Sequence, residues 1–180
     1  MNFTIILILF IYLPSCLVAD DGKFSITRIQ YRGGGDWYSD QSSIPNLLEF
    51  VKKNTGIPTN LIENKSRIGD DIFIGSDYLY LTGHGNIKFS DEEIIILRNH
   101  ILSGAFLHAD DNYGMDESFR AEMKKVFPEK DWVELPFTHQ LFHAYYDFPN
   151  GLPKVHKHNN QPPQALALFD EDRLIVLYTF

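Results

Sequence analysis

The organisation of this chain is clearest in residues 78–109, which read YLYLTGHGNIKFSDEEIIILRNHILSGAFLHA. Two short apolar runs, Tyr78–Thr82 and Ala105–Ala109, flank a longer stretch with helical spacing. Apolar runs without polar alternation are typical of strands that are buried on both faces. A strand, a helix and a second strand in this order predict parallel strands covered by helices.

The helix inside this unit has signals at both ends. Ser90 and Glu93 have the spacing of a capping box, and Phe89 with Ile94 can form the hydrophobic staple that accompanies it. Gly104 is expected to end the helix. The buried stripe is predicted to consist of Ile94, Leu97 and Ile101.

The alternation of strand and helix begins before this unit. Phe24–Tyr31 is rich in β-branched and aromatic residues and is predicted to be a strand. Ser43 is predicted to cap a helix that ends at Gly56. The apolar stripe of that helix is Ile44, Leu47, Leu48 and Val51.

The residues after the unit predict one more helix and three more strands. Asp116 is predicted to cap a helix that Pro128 stops, and Trp132–Leu135 is predicted to be a strand. Ala165–Phe169 and Leu174–Phe180 are predicted to form an antiparallel hairpin. The apolar face of the helix is Phe119, Met123 and Phe127. Together these elements predict an α/β fold: a flavodoxin-like three-layer αβα sandwich, with a mostly parallel sheet and a C-terminal antiparallel hairpin.

Length and composition restrict the classes of function. The chain has 180 residues, which fits one domain. It carries 16 Lys and Arg against 24 Asp and Glu, so that its net charge is −8 and no binding to nucleic acid is expected. Apolar residues make up 44% of the chain, which is enough for a folded core.

Residues 1–19 are predicted to be a secretory signal peptide, because residues 3–18 are largely apolar, uncharged and shorter than a membrane span. The alternative is an uncleaved N-terminal anchor. Leu13–Cys16 loosely resembles a lipoprotein cleavage box, so Cys16 is either removed or lipidated, and no thiol remains for catalysis. The single domain, residues 20–180, is expected to be exported as a periplasmic, secreted or membrane-anchored protein. Its only expected membrane contact is through this N-terminus.

Three unusual loops follow predicted strands at their carboxyl ends, where α/β sheets bind ligands. They are residues 33–38 (GGGDWY), 82–86 (TGHGN) and 108–114 (HADDNYG). Glycines allow a ligand or another backbone to approach closely, and an imidazole between glycines is accessible to a metal or a substrate. Adjacent carboxylates after a buried strand require hydrogen bonds, ion pairs or a cation.

These loops supply the candidate site residues. His84, Asp110 and Asp111 are the catalytic candidates, and His84 with Asp110 are the candidate ligands of a divalent metal. We interpret His108 as a core histidine, and we expect one of the two aspartates to accept backbone N–H groups of the next turn. The candidates for ligand binding are Gly34, Gly35, Asp36, Trp37, Tyr38, Asn86 and Tyr113.

Other hydrolase motifs receive little support. His139 and His143 would share one helical face, as in the H-E-x-x-H zinc hydrolases, but Gln140 stands where that motif has its general base. No G-x-S-x-G elbow follows a predicted strand. Residues 147–164 predict a long surface loop, with His156 and His158 in solvent.

Several motifs in order resemble one bacterial family. They are GGGDWY (33–38), LTGHGN (81–86), FLHADDNYGMD (106–116), ELPFTHQLFHAYYDFPNGLPKVHKH (134–158) and RLIVLYT (173–179). Over residues 24–180 the chain is similar to the family catalogued as domain of unknown function number 4159. This resemblance implies a fold like that of the class I glutamine amidotransferases, often at the cell envelope, without an established activity.

Two departures accompany the resemblance. No residue here matches the nucleophilic cysteine of the amidotransferase superfamily, so its reaction is not carried over. Members of the family usually continue past the last strand with an acidic loop and a further helix. The resemblance therefore implies a natural short form or a truncated one, since this chain stops at Phe180.

Two functions are compatible with the sequence. The first is an exported, pseudo-enzyme-like domain that binds a small polar ligand at the C-terminal ends of the parallel strands, with Trp37 and Tyr38 stacking on the ligand. The alternative is a metal-assisted or His/Asp-dependent hydrolase that uses His84 with Asp110 or Asp111. The expected partners are a small polar ligand or an envelope protein.

Overall fold

A single seven-stranded sheet organises the part of the chain that the computed structural model describes, residues 22–153 and 162–180. Its strands are β1 (Thr27–Ile29), β2 (Asn64–Ser66), β3 (Tyr78–His84), β4 (Phe106–Tyr113), β5 (Val133–Glu134), β6 (Ala165–Asp170) and β7 (Arg173–Thr179). The order across the sheet is β2-β1-β3-β4-β7-β6-β5. The neighbours from β2 to β7 are parallel, whereas β6 is antiparallel to both β7 and β5. The predicted α/β class, with a mostly parallel sheet and a C-terminal antiparallel pair, is confirmed.

Helices connect the strands and start with different capping geometries. They are α1 (Ser43–Thr55), α2 (Asp71–Ile74), α3 (Asp91–Leu102), α4 (Asp116–Val126) and a 3-10 helix at Gln140–His143. The capping box of α3 is confirmed. The Glu93 backbone N–H donates to the Ser90 hydroxyl over 3.2 Å, and the Ser90 N–H donates to the Glu93 carboxylate over 2.7 Å.

Two of the predicted caps were wrong by one position. Ser43 is the first residue of α1, and Ser42 occupies the N-cap but forms no side-chain cap hydrogen bond with the described residues. Asp116 is the first residue of α4, because the Asp111 carboxylate already accepts the N–H of the N-cap residue Met115. At the other end of α1, Gly56 adopts the left-handed conformation that was expected there, with φ of 71°.

The strand β2 and the helix α2 were not predicted from the sequence. The strand β2 reads Asn-Lys-Ser and lies at the edge of the sheet, so that neither an apolar run nor alternation marks it. The helix α2 has only four residues and is too short to show a helical period. Phe73 is nevertheless fully buried in the main core.

Helices pack against both faces of the sheet. Leu79 and Leu81 of β3 belong to the main core, which also contains residues of α2, α3 and α4. Tyr80, between them, packs instead with Ile44 and Leu48 of α1. Since consecutive strand residues point to opposite faces, α1 lies on one side and the other helices lie on the other. A third cluster joins the 3-10 helix to β6 and β7.

Some of the sequence-based predictions lie outside the described residues. These are the signal peptide at residues 1–19 with Cys16, and the loop histidines His156 and His158. Within residues 22–153 and 162–180, none of the helices has the length and apolar character needed to cross a bilayer.

The N-cap serines of α3 and α1, Ser90 and Ser42, predict different effects on stability. Ser90→Ala removes the hydroxyl that accepts the Glu93 N–H and should lower the free energy of unfolding by about 1 kcal/mol. Ser42→Ala is the matched control, because its hydroxyl makes no such cap, and it should leave stability almost unchanged. Urea unfolding of both variants measures the difference, and equal losses would contradict the assignment of the caps.

Candidate functional site

Three loops meet at the C-terminal ends of β1, β3 and β4. The loop after β1 reaches β3 through Asp36, whose backbone N–H donates to the His84 carbonyl over 3.2 Å. It reaches the end of β4 through Asn112, whose side-chain amide donates to the hydroxyl of Ser39 over 3.2 Å and to the carboxylate of Asp40. The loops singled out in the sequence are therefore neighbours in space.

The centre of this cluster is an Asp36–His84 pair. Nδ1 of His84 lies 3.1 Å from Oδ2 and 3.2 Å from Oδ1 of Asp36. The His84 backbone N–H also donates to the same carboxylate. Desolvation by burial acts to raise the pKa of Asp36, but the hydrogen bonds from the His84 backbone and side chain outweigh it and hold that pKa below its ordinary value. The carboxylate is thereby kept ionised, and it fixes the orientation of an imidazole whose side chain is 50% exposed.

Glycines allow the loop after β1 to lie directly against β3. A Cβ at Gly35 would lie 2.7 Å from the His84 carbonyl oxygen and 2.8 Å from that of Asn86. The Gly35 N–H instead donates to the Asn86 carbonyl over 2.9 Å. Gly83 has φ of 145°, and a Cβ there would lie 3.0 Å from the Asp36 backbone oxygen. Gly34 has φ of 95°, and a Cβ there would have no atom within 4 Å. A glycine is therefore favoured at this position by the backbone conformation and not by a close approach of another group.

A buried arginine that the sequence analysis passed over holds this loop in place. Arg28 of β1 is 1% exposed. Its Nε donates to the Glu63 carboxylate over 2.8 Å, while its Nη atoms donate to the carbonyls of Ser39 over 2.8 Å and of Asp40 over 3.2 Å. Its guanidinium also lies over the Tyr80 ring, 5.5 Å from the centroid. The available signal was a charged residue inside the predicted strand FSITRIQY.

The adjacent aspartates of β4 have separate environments. Asp111 accepts the Met115 N–H and the Tyr178 hydroxyl, the latter over 3.2 Å, and burial raises its pKa. It is the aspartate that accepts the backbone of the next turn, as expected for one of the pair. Asp110 accepts the hydroxyl of Thr179. Among the described residues the carboxylate that contacts the His84 ring is that of Asp36, and the catalytic roles of Asp110 and Asp111 stay predictions.

His108 has hydrogen-bond partners, as expected, but it is partly buried and does not belong to the apolar core clusters of the described residues. Its Nδ1 lies 3.2 Å from the hydroxyl of Tyr78, and its Nε2 lies 3.5 Å from that of Thr179. Burial lowers its pKa, although the Asp110 charge acts in the opposite direction. Burial also raises the pKa of Tyr78 to about 12. These side chains form a hydrogen-bonded cluster across β3, β4 and β7.

The remaining candidates lie on the exposed rim of the loops. Tyr38 is 56% exposed, and its ring meets that of the partly buried Trp37 edge to face, 5.6 Å between centroids. Tyr113 is exposed, and its carbonyl accepts the Gly85 N–H over 3.3 Å. Asn86 is exposed and contributes its carbonyl to the loop after β1.

Histidines elsewhere are held by their own neighbours. His139 is the N-cap of the 3-10 helix, where its Nδ1 accepts the Leu141 N–H over 3.2 Å. His143 contacts the carboxylate of Asp147 and the carbonyl of Phe137. The continuous helical face predicted for His139 and His143 is therefore wrong. Across residues 22–153 and 162–180, no group of three or more His, Cys, Asp and Glu side chains is arranged to hold a metal ion.

Most of the chain matches a known protein family. Residues 25–180 match a family model described as "Domain of unknown function (DUF4159)". No curated protein matches the chain.

The Arg28 network predicts a large dependence of stability on one side chain. Arg28→Met removes the donor to Oε2 of the buried Glu63 carboxylate and to the Ser39 carbonyl. Lys65 still pairs with Oε1 of Glu63, and the Ser43 N–H still donates to the Asp40 carbonyl. The free energy of unfolding should fall by about 3 kcal/mol. Lys124→Met, which breaks the solvent-exposed ion pair with Asp131, is the control and should have little effect. Adding Glu63→Gln to Arg28→Met should restore part of the lost stability. If the effects of the two substitutions on the free energy of unfolding were strictly additive, Arg28 and Glu63 would not be coupled.

The carboxylates of Asp36 and Asp111 predict opposite dependences of stability on pH. The raised pKa of Asp111 means that its stabilising contribution is present below the unfolded-state pKa of about 3.9 and is lost as the pH rises through the folded-state pKa. The lowered pKa of Asp36 means that its contribution is present above about 3.9 and is lost as the pH falls.

Urea unfolding from about pH 3 to about pH 7 tests both signs. Relative to Asp111→Asn, the wild-type protein should lose stability with rising pH. Relative to Asp36→Asn, it should gain stability with rising pH. If both stability differences changed with pH in the same direction, the opposite pKa shifts of Asp36 and Asp111 would be contradicted.

Proposed function

Because the chain belongs to the DUF4159 family, whose description assigns no activity, we propose its function from the site itself: the domain binds a small polar ligand at the C-terminal ends of β1, β3 and β4. The observation that carries this proposal is the Asp36–His84 pair. It presents a half-exposed imidazole whose orientation is fixed by a carboxylate. An oriented polar group beside exposed aromatic rings is the usual composition of a small-molecule site.

The strand order supports this location. In doubly wound sheets, ligands bind outside the carboxyl ends of the strands at the point where the order reverses. Here β1 lies between β2 and β3, so the chain moves to one side of β1 and then returns to the other. The Asp36–His84 contact joins the segment after β1 to the end of β3, across this reversal.

The finer fold is part of the proposal. The order β2-β1-β3-β4-β7 corresponds to the 2-1-3-4-5 order of flavodoxin-like proteins, with β7 in the fifth position. Helices on both faces agree with a three-layer sandwich. We place the domain among class I glutamine amidotransferase-like folds without their nucleophile, since the single cysteine of the sequence is Cys16 and precedes the matched residues.

The chemistry of the loop residues indicates the kind of ligand. The Asp36 and Asp110 carboxylates accept hydrogen bonds, the His84 imidazole can donate or accept one, and Tyr38 offers an exposed ring for stacking. A ligand with hydroxyl or amine groups on a flat body would use all three. We further propose that the domain is exported by the segment 1–19 and acts in the periplasm, outside the cell or on a lipid anchor, where an envelope protein is the alternative partner.

A second candidate function follows from the same pair. A carboxylate on Nδ1 holds the neutral imidazole in the tautomer whose Nε2 is free to accept a proton, the arrangement used by general bases. His84 could then activate water in a hydrolase. A metal-assisted version would place a divalent ion on His84 and Asp110 and would need a third ligand.

A thermal-shift screen of polar small molecules against the full chain tests the proposal. A ligand present at about one hundred times its dissociation constant adds about 2.7 kcal/mol to the stability of the folded state, which is a clear shift of the melting temperature. Tyr38→Ala and His84→Gln should remove most of the shift. Tyr146→Ala is the matched control, because that tyrosine is 53% exposed but packs against Phe50 of α1, and it should retain the shift.

The outcomes separate the alternatives. Equal shifts in the wild-type protein, Tyr38→Ala and His84→Gln would place the ligand elsewhere and contradict the proposal. Turnover of the bound molecule that is lost in His84→Gln would assign the hydrolase. A stoichiometric divalent ion that is present in the purified protein and absent from His84→Gln would assign its metal-assisted form.

A further inference from the structure

A surface cavity lies beside the Asp36–His84 pair and has a different chemistry. Its volume is about 230 Å³, and its lining residues are Gln30, Tyr31, Arg32, Trp37 and Arg67. Two of these five residues are arginines, although the protein as a whole has a net charge of −8. The local positive charge is thus opposite in sign to the net charge of the chain.

The framework of this cavity is rigid. Its lining residues follow the ends of β1 and β2, and the Gln30 N–H donates to the Ser66 carbonyl over 2.8 Å. The Arg32 carbonyl accepts the Lys88 N–H over 2.7 Å. The backbones that carry both arginines are therefore joined to neighbouring strands and loops, while the guanidinium groups themselves stay adjustable at the surface.

Within residues 22–153 and 162–180, Arg32 forms one long ion pair and the Arg67 guanidinium forms none. The Arg32 side chain is 67% exposed, and its Nη2 lies 3.8 Å from Oε1 of Glu93, whose other oxygen, Oε2, accepts the Ser90 N–H in the capping box. Asp70 bonds to the backbone N–H of Arg67 over 3.3 Å and not to its guanidinium. Each guanidinium group can therefore donate two parallel hydrogen bonds to an external anion.

The cavity adjoins the proposed ligand site through two of its lining residues, Tyr31 and Trp37. Trp37 lines the cavity and directly follows Asp36 in the chain. Tyr31 lines it as well, and its hydroxyl donates to the Thr82 carbonyl over 3.1 Å, beside the glycine that precedes His84. One molecule could place one end among the arginines and the other at the imidazole.

We propose that this cavity binds the anionic end of the ligand, a carboxylate or a phosphate carried on a small flat body that packs against Trp37. The inference rests on the proposed function, because it assigns the charge of the ligand bound there. The size agrees: a cavity of about 150 Å³ accepts benzene, so 230 Å³ leaves room for an aromatic ring with one attached anionic group.

Calorimetric titration of the full chain with three probes tests this proposal. Benzoate carries a carboxylate, phenyl phosphate carries a phosphate, and benzamide is the neutral compound of the same shape. At least one of the two anions should bind saturably, and benzamide should bind about tenfold more weakly or worse, because hydrogen bonds to charged groups are the stronger ones. Tighter binding of benzoate identifies a carboxylate ligand, and tighter binding of phenyl phosphate identifies a phosphate.

A pair of double variants separates a built site from general attraction. Arg32→Gln with Arg67→Gln should weaken anion binding by about tenfold or more. Lys52→Gln with Lys53→Gln removes the same charge from the exposed end of α1 and should leave the affinity within about twofold. Circular dichroism and melting curves establish that both proteins are folded.

The proposal is overturned if neither anion binds saturably, if benzamide binds as tightly as the anions, or if the lysine variant weakens binding as much as the arginine variant. Its failure is distinguishable from that of the proposed function. Neutral polar ligands whose thermal shift requires Tyr38 and His84 would then still support the site at the strand ends. The opposite result is also informative. If anions bind through Arg32 and Arg67 with the same affinity in His84→Gln, and no neutral ligand gives a thermal shift, the cavity is an anion site and the imidazole has no role in binding.

Discussion

The arrangement of the site depends on the burial of one charge. Arg28 lies in the middle of a three-residue strand and is almost completely removed from water. Such a group is tolerated only when its donors are used, and here they bind Glu63 on one side and the carbonyls of Ser39 and Asp40 on the other. The loop that carries Asp36 has no helix or strand of its own up to Ser43. The guanidinium therefore fixes the Ser39–Asp40 part of the loop, while Gly35 and Asp36 bond to the end of β3 and the segment after it and bring Asp36 to His84.

The same residue type serves two purposes at this end of the sheet because its surroundings differ. Asp36 is close to solvent and receives hydrogen bonds from His84, so its charged form is favoured. Asp111 is desolvated between Tyr178 and the start of α4, so its charged form is disfavoured although it accepts the Met115 N–H. Asp36 can thus polarise and orient an imidazole, whereas Asp111 contributes to the start of a helix. The half-exposed imidazole lies on the loops, whereas the Asp111 carboxylate is bound by the start of α4 and by Tyr178 of β7.

Sequence reasoning succeeded where the signal is local and failed where it is long-range. The capping box at Ser90 and the hairpin of β6 and β7 were predictable because their partners are close in the chain. The strand β2 was missed because three polar residues at a sheet edge carry no hydrophobic period. Asp36 was named as a ligand contact, but its pairing with His84 joins residues 48 positions apart. The helical face expected for His139 and His143 failed because Pro136 and the short 3-10 turn give that segment a different period.

Backbone geometry fixes the orientation of the His84 imidazole. The Asp36 N–H bonds to the His84 carbonyl, and the His84 N–H bonds back to the Asp36 carboxylate, so the two residues hold each other through main-chain groups. This approach requires that Gly35 lack a Cβ, which would lie within 2.7 Å of the His84 carbonyl oxygen. A group fixed in this way loses little conformational freedom when a ligand binds, and the entropic cost of association falls accordingly. The glycine-rich loop therefore allows two backbone segments to pack together at the point where the strand order reverses. Tyr38 and the surface cavity lined by Arg32 and Arg67 lie on the same loop or next to it.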